Sequence, residues 1–135
     1  MITIAAAFVI CLVVFLGIDM VWLMGPGRPF YVAEIGGLLR TQPDLPAAIA
    51  FYLVYAAGLT FFAIMPGFKA SSPMMALGYG AAFGLVAYAT YDLTNLAVMN
   101  GFTLRIAMID MAWGAILSGV TAWLTTKAMQ LTNLA

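Results

Sequence analysis

The chain has 135 residues, five basic and five acidic side chains, no histidine and a formal net charge of zero. Only 7% of its residues are charged and its mean hydropathy is +1.07, where a soluble domain carries about 25% charged residues. This is the composition of one small integral membrane domain, and its neutral balance gives nucleic acid nothing to bind. A single cysteine, Cys11, excludes an internal disulfide and a Cys-based metal site, and the lack of histidine removes the usual zinc and haem ligand.

A transmembrane helix takes about 20 apolar residues, and four stretches qualify: 2–24, 47–66, 74–99 and 104–127. The first has no basic leader and a longer apolar run than a signal peptide, so it reads as a retained span. Gly25-Pro26-Gly27 ends it. In the loop over 25–46, Phe30, Tyr31, Ile35, Leu38 and Leu39 recur at helical spacing behind Pro29, which predicts a short helix on the membrane surface. Pro66-Gly67 is expected to stop the second span, Ser71-Ser72-Pro73 to restart the chain, and Asn100-Gly101 to form the last turn. The predicted fold is all-α: a four-helix transmembrane bundle with one interfacial helix between the first two spans.

With four antiparallel spans, the first and third loops share one side of the membrane. Asp19 then lies five residues before the end of the first span, Asp92 seven before the end of the third, and Asp110 six after the start of the fourth. At about 1.5 Å per residue, all three carboxyls fall roughly 8–11 Å below the same interface. Tyr52 and Tyr55 enter from that side. The stretch AYATYDLTNLA at 87–97 puts Tyr88, Tyr91, Asp92 and Asn95 on one helical stripe with Ala81 and Gly84. The expected site is a buried polar cluster of Asp19, Asp92, Asp110, Asn95, Tyr91 and Tyr88. Asp92 and Asn95 are expected to tie the third span to the first and fourth. A protonated carboxyl there could donate to Asn95, Tyr91 or a backbone carbonyl.

Ile18-Asp19-Met20-Val21-Trp22 is echoed by Ile109-Asp110-Met111-Ala112-Trp113. In each copy the tryptophan sits three residues from its aspartate, on the same face, so Trp22 and Trp113 are expected to support the cluster together with Tyr52 and Tyr55. Arg105 is expected to snorkel to the interface, and Arg28 to offer a possible partner from the first loop.

AYATYDLTNLA, IDMAWG at 109–114, GIDMVWL at 17–23, PFYVAEIGGLL at 29–39 and FYLVYAAGLTFFAIMPG at 51–67 together resemble the bacterial membrane family called domain of unknown function 2177. The resemblance covers nearly the whole chain. It implies a four-helix protein of the bacterial inner membrane and implies no activity, substrate, cofactor or catalytic residue.

Function must therefore be argued from the residues. One expectation is a non-catalytic accessory or assembly subunit of a photosynthetic or respiratory membrane complex, with lipids and other integral subunits as partners. A second is a proton- or cation-coupled carrier or channel, since intramembrane carboxyls are functional candidates. A third is a binder of, or enzyme on, lipid headgroups. No nucleophile with a base beside it is present, which favours a protein that is not an enzyme. Whether the cluster holds an ion, and which cofactor if any, stays open at this point. Arg28, Arg40 and Arg105 on one side against Lys69 and Lys127 on the other favour a cytoplasmic face for the cluster.

Overall fold

The computed structural model describes residues 2–132, and among them it has four helices long and apolar enough to cross a membrane. The first, α1 (Ile2–Met24), carries no charge until Asp19 and ends where Gly25-Pro26 interrupts it. A two-residue turn leads into α2 (Gly27–Ile35), the short helix between the first two spans. It begins two residues before Pro29, and Gly27 lies against the Trp22 indole, where a Cβ would stand 2.6 Å from the ring. A 3₁₀ turn at Gly36–Leu38 closes the segment.

The second span is not stopped by Pro66-Gly67. It runs from Leu45 to Lys69, as α3 (Leu45–Leu59), a π turn (Thr60–Ile64) and α4 (Met65–Lys69). Its start is fixed by Asp44, whose Oδ1 accepts from the Ala47 N–H at 3.2 Å. The wide turn carries Met65 N–H back to Thr60, so Pro66 enters as an early residue of a new helical segment, where its missing N–H costs little. Gly67 then lets Ala76 approach closely, and the chain turns at Ser71, whose φ is +52°.

The remaining helices are α5 (Pro73–Val98) and α6 (Leu104–Leu131). Ser72 Oγ accepts from Met75 N–H at 3.0 Å and Thr103 Oγ1 from Ile106 N–H at 3.1 Å, capping the two N-termini. Gly101, at φ +87°, makes the turn between them. The Thr103 hydroxyl also donates to Glu34 Oε1 at 2.7 Å, which anchors α2 to the start of α6.

α5 and α6 form the tightest pair. Gly80 and Gly84 face Ser118 and Ala122, and Gly114 lies under the Tyr88 ring. Small residues of this kind allow close backbone approach where lipid supplies no hydrophobic drive. Ala7, Cys11 and Phe15 of α1 are buried in the same core as Tyr55, Leu59, Leu117 and Met129, and Cys11 donates from Sγ to the Ala56 carbonyl. Large apolar side chains such as Val13, Val54, Phe61 and Val86 point outward, as expected of helices solvated by lipid tails.

Candidate functional site

The two Ile-Asp-Met-X-Trp copies meet at the end of the bundle that carries α2. Their aspartates are served crosswise. Trp113 of the second copy donates from Nε1 to Asp19 Oδ1 of the first at 3.2 Å, and the Tyr52 hydroxyl donates to Asp19 Oδ2 at 2.7 Å. Trp22 of the first copy donates from Nε1 to the Tyr31 hydroxyl at 3.1 Å, and that hydroxyl donates to Asp110 Oδ1 of the second at 2.6 Å. The two indoles stack, with ring centroids 4.6 Å apart and planes 16° from parallel. Burial and the adjacent Asp110 hold the Tyr31 phenol above its ordinary value near 10, so it remains a neutral donor.

Asp92 is different. Its side chain is 0% exposed, yet neither carboxyl oxygen meets an N–H or O–H donor among the described residues. It faces the carboxyl of Asp110.

These groups line a cavity of about 720 Å³, bounded by α1, α2, the following loop, α5 and α6. Asp19, Asp92 and Asp110 line it with Tyr31, Tyr88, Tyr91 and Trp113, and so do Arg28 of α2 and Arg40 and Thr41 of the loop. The volume falls within the range of small-molecule sites, about 300–1,000 Å³.

Not every expected member sits in the cluster. Tyr91 lines the cavity but is 61% exposed, so it is a rim residue and not a buried one. Asn95 is half-buried and lies off the cavity wall, and among the described residues neither Asp92 nor Asn95 hydrogen-bonds to α1 or α6 through an N–H or O–H donor. Tyr55 turns away to share a 2.6 Å hydrogen bond with Ser118 deeper in the bundle. Arg105 lies outside, with its guanidinium 5.8 Å from the Phe30 ring centroid. Tyr31 was legible only as an apolar position of the surface helix; its bond to Asp110 spans 79 residues. Among the described residues, no group of three or more acidic or sulfur side chains is placed to hold a metal ion.

The fold and the site together define a small multi-pass membrane protein with a cavity at one end of its bundle that three aspartates line. The chain belongs to the family described as "Predicted membrane protein (DUF2177)", which it matches over residues 4–127. No curated protein and no solved structure compared with it matches.

Proposed function

We propose that the protein is a non-catalytic binder of a small polar molecule or lipid headgroup, received in this cavity at one face of a bacterial inner membrane. The observation that carries the reading is Asp92: a solvent-shielded carboxyl without a donor, on the wall of a ligand-sized cavity. A carboxyl that only held helices together would be hydrogen-bonded, as Asp19 is. The outward apolar faces, which an accessory subunit would present to its complex, are what lipid tails require in any case, so they do not favour a protein partner. A carrier would need a polar route through the other half of the bundle. That half offers the buried hydroxyls of Thr60, Thr121, Thr125 and Thr126 but no charged group among its buried residues. The test is native mass spectrometry of the protein released from its own membrane in mild detergent. A reproducible adduct of one headgroup class or polar solute is expected, reduced in Asp92→Leu. Retention of lipids in proportion to their abundance, unchanged by that substitution, would refute the reading.

A further inference from the structure

The chemistry of the cavity narrows the ligand. Tyr52 and Trp113 occupy both oxygens of Asp19, and Tyr31 occupies Oδ1 of Asp110. Both oxygens of Asp92 and Oδ2 of Asp110 are left without an N–H or O–H donor among the described residues. The protein therefore supplies acceptors and negative charge at this point and no donor of its own. A primary ammonium carries three N–H donors and one positive charge. It matches this set in number and in sign. Tyr88, Tyr91 and Trp113 line the same cavity.

The same cavity also carries the opposite charge, on Arg28 and Arg40. Arg28 makes no ion pair among the described residues, and Arg40 has only Asp44 at 3.9 Å, an exposed contact of small worth. Guanidinium groups are the preferred partners of phosphate and carboxylate. Resting on the binding role proposed above, we infer that the cavity takes a zwitterion: a primary ammonium seated on Asp92 and Asp110, joined to an anionic group that reaches Arg28 and Arg40. An ethanolamine phospholipid headgroup and a water-soluble phosphoethanolamine share that chemistry.

The test uses the full chain in nanodiscs, with binding read by native mass spectrometry and by thermal melting. The probes are phosphatidylethanolamine, phosphatidylcholine, phosphatidylglycerol, and free phosphoethanolamine added to phosphatidylcholine discs. An ammonium that donates hydrogen bonds should bind about tenfold or more tightly than the trimethylated one, which keeps the charge and lacks the donors. The preference should vanish in Asp92→Asn and weaken in Arg28→Gln, an exposed position whose change leaves the packed bundle intact. A response to phosphatidylethanolamine alone identifies the lipid as source, and a response to phosphoethanolamine alone identifies a solute; either supports the inference. Equal binding of ethanolamine and choline lipids, or a preference that survives in Asp92→Asn, overturns it. Selective binding of phosphatidylglycerol would overturn the ammonium while leaving the binding role in place. No dependence on any of the four probes overturns both.

Discussion

Trp22 and Trp113 lie face to face, 4.6 Å between ring centroids, and each indole N–H serves the other tryptophan's repeat. Trp113 reaches Asp19 directly, and Trp22 reaches Asp110 through the Tyr31 hydroxyl. The exchange couples α1 to α6, and the intermediary makes the surface helix part of the coupling.

Trp113→Phe should therefore keep the ring contact and lose the donor to Asp19. A membrane hydrogen bond is worth about 0.6 kcal/mol on average and at most about 1.7, so a drop of that size in detergent-unfolding free energy is expected. Trp22→Phe should cost no more in the bundle but should free α2. Faster proteolysis within 27–44 in that variant alone would report it, and equal cleavage rates in the two variants would count against the crosswise arrangement.

Asp92 should behave in the reverse sense to Asp19. Removing Asp19 strands Tyr52 and Trp113, and Asp19→Ala is expected to destabilise by about 1–3 kcal/mol. Asp92 strands no donor, and Asp92→Asn brings an amide that can donate to Asp110. A gain of about 1 kcal/mol, in the range typical of relieving a functional site, is expected. Thermal melts of the three proteins in one detergent settle it: a melting temperature lowered as far by Asp92→Asn as by Asp19→Ala would mean that Asp92 is structural.

Tyr31 gives the protein an alkaline limit. The unfolded chain loses this proton near 10, whereas the folded chain retains it to higher pH because of burial and the bond to Asp110. The folded state thus binds more protons above that value, and stability falls as pH rises from there; below it the contribution is present in full. Unfolding free energy should decline more steeply in the native protein than in Tyr31→Phe between about pH 10 and 12. Parallel slopes would show that the phenol does not titrate differently on folding.

At the centre of the α5–α6 pair, a Cβ on Gly114 would collide with the Tyr88 ring. Gly114→Ala is expected to destabilise by about 1–3 kcal/mol through overpacking. Combining it with Tyr88→Ala should recover much of that loss, giving a coupling energy of about 0.5–3 kcal/mol in a double-mutant cycle. Additive effects would place the strain elsewhere.

The spans were legible because lipid demands long apolar runs, and three of the breaks between helices because Gly25-Pro26, Ser71-Ser72-Pro73 and Asn100-Gly101 interrupt those runs. The convergence of Asp19, Asp92 and Asp110 followed from counting residues along the spans, and all three line one cavity. The passage through Pro66 was not legible, since a π turn is chosen by packing and leaves no local signature. Nor was the division of labour among the aspartates. Which carboxyl receives Tyr31, which receives Tyr52 and which receives none depends on side-chain reach across helices, and periodicity along one helix does not carry that information.

The crosswise bonds join parts of the chain that are synthesised at different times. A chain is synthesised from its N-terminus, so α1 reaches the bilayer with Asp19 unaccompanied. Tyr52 arrives with the second span, whereas Trp113 follows only with the last. The short turn at Asn100-Gly101 makes closure of α5 on α6 a local event of low entropic cost. The late hairpin is thus the piece that completes the first helix, and a chain that stops before residue 113 leaves Asp19 with one of its two donors.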